Sequence, residues 1–125
     1  MVDTNKFVHT KCSAKECRFI AKRAQTEFSV LADDSQLKHR AKMFRALGNH
    51  TRLRILGLLA VQEMCTCDIV EALKGATSTI THHLRILEEG SLLTARQVSR
   101  FTLYNINKEL LKKHRIFDES HRDKQ

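Results

Sequence analysis

Cys65-Thr66-Cys67 places two thiols two residues apart, directly ahead of the apolar run Asp68-Ile69-Val70-Glu71-Ala72-Leu73. A thiolate is a soft ligand and a helix N-terminus stabilises negative charge, so thiols at such an entrance can capture a soft metal ion. Inside a regular helix, residues i and i+2 point about 200° apart and could not share one ion. In an extended or helix-entry segment they can, so ligation calls for a distorted helix start. The alternative is that both are small buried hydrophobes, as free cysteines often are. A second pair, Cys12 and Cys17, has C-x4-C spacing, looser than that of zinc fingers, with Lys11 and Lys15 beside it to favour deprotonation. The start Met1-Val2-Asp3-Thr4-Asn5-Lys6 lacks the apolar core of a signal peptide, and no run approaches the roughly 18 apolar residues of a membrane span. The expected location is the cytoplasm, where four cysteines read as metal ligands or redox-active thiols rather than as a disulfide framework.

These thiols need a scaffold, and 125 residues with 42% hydrophobic content suffice for one domain with one core. Residues 1–12 read as a mobile arm, residues 13–117 as the folded domain and residues 118–125 as a charged tail. From Ser13 onward, Cys17, Ile20, Ala21, Ala24 and Phe28 recur at helical intervals. After Asp33-Asp34, Leu37, Ala41, Phe44 and Leu47 form a second stripe. Asn49 is a fitting cap for a third helix carrying Leu53, Leu56 and Ala60, with Ile55 and Leu59 on the flank. Thr66 is read as the cap of a short helix over 67–73. Lys74-Gly75-Ala76-Thr77 is the turn, and the next helix, from about Ser78 to Glu89, buries Ile80, Leu84 and Leu87. Leu92 to Arg96 and Arg100 to Ile106 are β-prone runs around Gln97-Val98-Ser99, which predicts a hairpin. A last helix from about Lys108 carries Leu110, Leu111, His114 and Phe117.

The chain holds 22 Lys and Arg against 14 Asp and Glu, a formal charge of +8 that favours a polyanionic partner. Between Lys74 and Arg115 eight basic residues face three acids, so most of the excess lies on the second helix of the pair, the hairpin and the last helix. Two short helices and a basic hairpin make a winged helix-turn-helix, a mainly α fold with a β-hairpin wing.

Four segments then make the chain resemble the ArsR/SmtB metal-sensing repressors, most nearly the cadmium- and lead-sensing, CadC-like branch. They are Ala46-Leu47-Gly48-Asn49-His50-Thr51-Arg52-Leu53-Arg54-Ile55-Leu56, Glu63-Met64-Cys65-Thr66-Cys67-Asp68-Ile69, Ser78-Thr79-Ile80-Thr81-His82-His83-Leu84-Arg85-Ile86-Leu87 and Arg100-Phe101-Thr102-Leu103-Tyr104. The chain departs from the family at Asn49-His50, where Asp-Pro is common, at Gly75-Ala76, where Val-Ser is, and at Ser99, where glycine is. The resemblance implies a homodimer in which Cys12 and Cys17 of one protomer join Cys65 and Cys67 of the other around cadmium, lead or zinc. It also implies that Thr77, Ser78, Thr79, Thr81 and His82 face bases or phosphates of operator DNA, and that Arg85, Arg96 and Arg100 bind phosphates. A further metal site of the family would fall on Lys108, Leu110, His121 and Lys124, of which only the histidine could ligate, so that site reads as absent.

The expected function is thus a repressor that binds DNA metal-free and leaves it when the thiols capture a soft ion. An arsenite or antimonite sensor, and a thiol redox sensor using the same cysteines, are the alternatives. A small cysteine oxidoreductase is disfavoured, because there is no C-x-x-C and no Gly-rich cofactor loop. Neither a small-molecule substrate nor a membrane partner is expected.

Overall fold

The computed structural model describes residues 12–117. They fall into two compact units divided between Lys38 and His39. In the first, Ser13 opens helix α1, Ala14–Glu27. Its hydroxyl accepts from the Glu16 N–H at 3.2 Å while the Glu16 carboxylate accepts from the Ser13 N–H at 3.2 Å, a reciprocal pair that satisfies two otherwise orphaned donors. A 3-10 helix, Ser29–Ala32, comes next. Neither helix buries a residue, and Phe19, Ile20 and Phe28 are 67%, 55% and 60% exposed.

Helix α2, Asp34–Leu47, leads into the second unit, where helix α3, His50–Val61, starts at Asn49 as its side chain accepts the Arg52 N–H at 3.1 Å. Strand β1, Met64–Cys65, passes directly into helix α4, Thr66–Leu73; helix α5, Thr77–Glu89, strand β2, Leu93–Val98, strand β3, Phe101–Ile106, and helix α6, Lys108–Lys113, complete the order. The three strands form an antiparallel sheet in the order β1-β3-β2, with Cys65 opposite Leu103 and Leu103 opposite Arg96. This is the expected mainly α fold with a β-hairpin wing. Its core joins Met43 and Ala46 of α2, Ile55, Leu56 and Leu59 of α3, Ile69 of α4, Ile80, Leu84 and Leu87 of α5, and Leu92. Each large aliphatic side chain among them contributes about 1.5–3 kcal/mol on burial, so this cluster fixes the helix arrangement.

Several local readings need correction. On α3 the buried face is Arg52, Ile55, Leu56 and Leu59, and Ala60 is exposed; apolar residues cover so wide an arc that periodicity alone does not set the phase. Helix α4 is entered from Cys65, not capped by Thr66, because Cys65 still holds an extended conformation as the end of β1. The α4–α5 turn holds Lys74 in the left-handed region, at φ 54. A Cβ on Gly75 would lie 3.2 Å from Ile80 Cδ1, so its role is close approach. Gln97 and Val98 belong to β2, the loop being Ser99-Arg100 alone. Helix α6 ends at Lys113, leaving His114 and Phe117 beyond it, and Arg115 adopts φ 49.

Gly90 caps the end of α5 at the point where it meets α2. A Cβ there would approach Ala46 Cβ at 3.0 Å, the Lys42 carbonyl oxygen at 3.1 Å and Met43 Cα at 3.2 Å. Among the described residues, a Cβ on Gly57, mid-helix in α3, would meet only Phe117 Cζ at 4.0 Å. Gly90→Ala is therefore expected to destabilise the fold by about 1–3 kcal/mol through overpacking, whereas Gly57→Ala should gain up to about 1 kcal/mol of helix propensity. Urea unfolding of both variants checks this; equal midpoints for the two would contradict the close helix crossing.

Candidate metal centre and nucleic-acid interface

Cys65 is both the last residue of β1 and the residue from which α4 springs, at φ −88 and ψ 168, and Cys67 is the second residue of that helix. The junction supplies the distorted helix start that a shared ligand requires. The two Sγ atoms lie 2.9 Å apart, Cys65 buried and Cys67 exposed. The Asp68 carboxylate completes a group whose ligand atoms all lie within 4.8 Å of one another. From sequence, Asp68 has only a role at the helix N-terminus; the same first turn that places it there turns it beside the thiols.

The donor set fits a thiophilic ion, with one adjustment. Two thiolates on a tetrahedral zinc at about 2.3 Å stand about 3.8 Å apart, so the sulfurs would have to separate by about 1 Å. The Cys65 thiol is pushed up, first by its hydrogen bond with Cys67, an effect that burial and the Asp68 carboxylate reinforce and the Asp68 backbone N–H opposes. Both cysteines are free thiols here, and ligation would release protons.

In the first unit, Cys12 and Cys17 are exposed. The expected depression of these thiols by lysine is not found at Cys12, whose thiol is pushed up by hydrogen bonding to Cys17, then by the charge of Cys17, with burial and Glu16 adding to it. A neighbouring thiol outweighs the solvent-screened Lys15, and Lys11 lies outside the described residues, as do His121 and Lys124.

Helix α5 presents the polar face that the sequence predicts. Thr77, Ser78, Thr79, Thr81, His82 and Arg85 are all exposed, while Ile80, Leu84 and Leu87 turn to the core. Ala76 precedes the helix with no side-chain cap. An Arg85 guanidinium nitrogen lies 3.3 Å from His82 Nδ1. On the wing, the Arg100 guanidinium lies 5.8 Å from the Phe101 ring centroid, and Arg96 makes a two-point contact with the Glu63 carboxylate.

Arg52 is not among the residues that the sequence marks as functional. Only 8% exposed, it donates from Nε to the Ala46 carbonyl at 2.7 Å and from a terminal nitrogen to the Arg45 carbonyl at 3.0 Å. Its other terminal nitrogen lies 3.1 Å from His83 Nδ1 on α5. A signal is present in the sequence, since Arg52 stands three, four and seven residues before Ile55, Leu56 and Leu59. An arginine on a core-facing stripe must find acceptors.

Residues 49–94 match the family model described as bacterial regulatory protein, arsR family. The SmtB-homologue transcriptional repressor of Synechocystis is 39% identical over 82 residues, which cover 66% of this chain and 61% of that protein. The cadmium-resistance regulatory protein CadC homologue of Staphylococcus aureus is 33% identical over 58% of this chain and 60% of its own length. The arsenical resistance operon repressor of Staphylococcus xylosus is 32% identical, the match covering 59% of this chain and 71% of that repressor. The chain belongs to the arsR family of bacterial regulatory proteins. This arsR-family chain thus spans about 60% of the SmtB and CadC homologues and more of the arsenical repressor. Its fold matches the homodimeric winged helix-turn-helix domain of a possible ArsR-family regulator from Mycobacterium bovis, at TM-score 0.60 and 31% identity over 64% of this chain and 74% of that one. Among the described residues no helix is long and apolar enough to cross a membrane.

Burial, Arg52 and the neighbouring His82 and His50 hold His83 below the ordinary imidazole range. The folded state thus favours neutral His83. The stability this contributes is full above the unfolded value of about 6.5 and is lost as pH falls from there toward the depressed folded value. Thermal melts between pH 7.5 and 5 should show a decline that His83→Gln, which keeps an acceptor but cannot titrate, reduces. Parallel pH profiles for the two proteins would rule out the Arg52–His83 contact as its source.

Proposed function

We propose that this chain is a homodimeric transcriptional repressor that binds operator DNA when metal-free and leaves it when its thiols hold a soft metal ion, with cadmium, lead or zinc favoured. One observation carries the reading: a pair of thiols 2.9 Å apart forms the hinge between β1 and α4, and α4 shares the core with α5, whose outer face is polar and exposed. The relatives named for SmtB, cadmium resistance and arsenical resistance support the same direction.

In this reading Cys65 and Cys67 hold the ion with Asp68 or with Cys12 and Cys17 of a partner protomer. An ion of this class would supply attraction for each thiolate, seated between the two sulfurs, and the chain would supply the motion. Parting the sulfurs by about 1 Å would bend the β1–α4 junction and would shift α5 relative to the major groove. Thr77, Ser78, Thr79, Thr81 and His82 contact bases or phosphates, and Arg85, Arg96 and Arg100 bind phosphates. The exposed Phe19, Ile20 and Phe28 suit a dimer interface, and the M. bovis relative is homodimeric. The short sulfur separation also favours a second reading, a thiol redox sensor, in which a two-electron oxidant such as a peroxide takes two electrons and two protons from the pair as the sulfurs close to about 2.05 Å.

Cys65→Ser and Cys67→Ser are each expected to leave metal-free DNA binding within about twofold and to abolish release at cadmium concentrations that clear the unaltered protein. Fluorescence anisotropy on an operator duplex, run anaerobically with reductant, reads both. Release by either variant at the unaltered concentration would remove the mechanism, and release only on oxidation would favour the redox reading. Replacing Cys12 and Cys17 together should lower cadmium affinity by orders of magnitude; an unchanged response would leave an arsenite-type sensor with a dispensable arm.

A further inference from the structure

Among the described residues, three ion pairs form. Two are helical neighbours, Arg23 with Glu27 and Lys38 with Asp34. The third joins Arg96 of the wing to Glu63, residues 33 apart in sequence, immediately before β1. Arg96 donates from Nε to one Glu63 oxygen at 2.8 Å and from a terminal nitrogen to the other at 2.6 Å. This parallel two-point contact is the one a guanidinium makes with a phosphate, since carboxylate and phosphate offer similarly spaced oxygens. The Glu63 side chain is 26% exposed and that of Arg96 62%, so the carboxylate is held in place while the guanidinium stays within reach of an outside ligand.

A wing arginine that neutralises a phosphate must give up this partner or share it. Arg100, at the wing tip, is stacked on Phe101 and takes part in none of these pairs. The two wing arginines therefore differ in what an arriving phosphate has to displace.

We propose that Glu63 is an internal phosphate mimic that competes with the DNA backbone for Arg96 and so sets the affinity of the wing for duplex DNA. The proposal rests on the reading of the wing as part of the DNA interface. With Glu63 engaged, Arg96 adds less than a full charge to docking. With Glu63 neutralised, it adds one.

The test is a double-mutant cycle on the full chain, metal-free, with operator and random duplexes over a series of salt concentrations. An exposed ion pair contributes little to stability, so Glu63→Gln and Arg96→Ala should both fold, which circular dichroism confirms. Glu63→Gln should tighten binding to both duplexes several-fold and steepen the salt dependence by up to about one counterion. Arg96→Ala should weaken binding to both. The double variant should bind as Arg96→Ala does, because the competitor has no effect once its target is gone. If Glu63→Gln still tightens binding with Arg96 absent, Glu63 acts only as a general negative charge and the proposal is overturned. If Arg96→Ala weakens binding but Glu63→Gln changes nothing, the competition is overturned while the wing reading stands. An unchanged affinity on losing Arg96 overturns the wing reading and the competition together.

Discussion

A guanidinium almost removed from water has to be given acceptors, and those that Arg52 takes lie on both sides of its own helix. Two are carbonyls at the end of α2, those of Ala46 and Arg45, the latter also accepting from the Gly48 N–H at 3.2 Å, and the third is the ring of His83 on α5. Arg52 itself stands in the first turn of α3. One side chain thus ties the C-terminus of α2, the start of α3 and the middle of the exposed-faced helix. The cation also lies near the partial negative charge of a helix C-terminus, which offsets part of its desolvation. Burial nonetheless leaves its own ionisation less favourable than in water, with Arg45 adding repulsion. The apolar core holds these helices together and sets the rotation of α5, and Arg52 adds a polar tie to His83 on that helix.

The other end of the helix pair is governed by a short sheet. Cys65 is opposite Leu103, and Leu103 is opposite Arg96, so the thiol junction and the wing share a row of backbone hydrogen bonding. A displacement at Cys65 has two rigid neighbours, α4 through the chain and β3 through pairing. This connectivity joins the position of Cys65 to α4 along the chain and to the wing by way of β3.

The sequence is legible where the pattern allows one solution. On α5, Ile80, Leu84 and Leu87 leave a single buried stripe, and the exposed face is set without further information. On α3, apolar residues run nearly all round, so periodicity puts the stripe a fraction of a turn away from where it lies. A two-residue strand is too short to show alternation, which is why Cys65 reads as helix entry only and Thr66 as the cap. Glu63 and Arg96 are brought together by strand pairing, and no local rule links them. Arg52 is visible as a cation on an apolar stripe, but its partners are tertiary. The two cysteine pairs belong to different units, and only Cys65 and Cys67, with Asp68, gather into one group of ligand atoms among the described residues.

The brevity of β1 has a kinetic consequence. Its two residues pair with β3 only after α4, α5 and β2 have intervened, making it the most non-local seam of the sheet. A two-residue edge strand with so few hydrogen bonds can open at a lower free energy than the fold as a whole. Cys65 sits at that seam. Its access to a bulky alkylating reagent is therefore governed by the opening equilibrium of a single strand, which can be far more favourable than unfolding, and the buried thiol is reached by fraying of the sheet while the helical core stays intact.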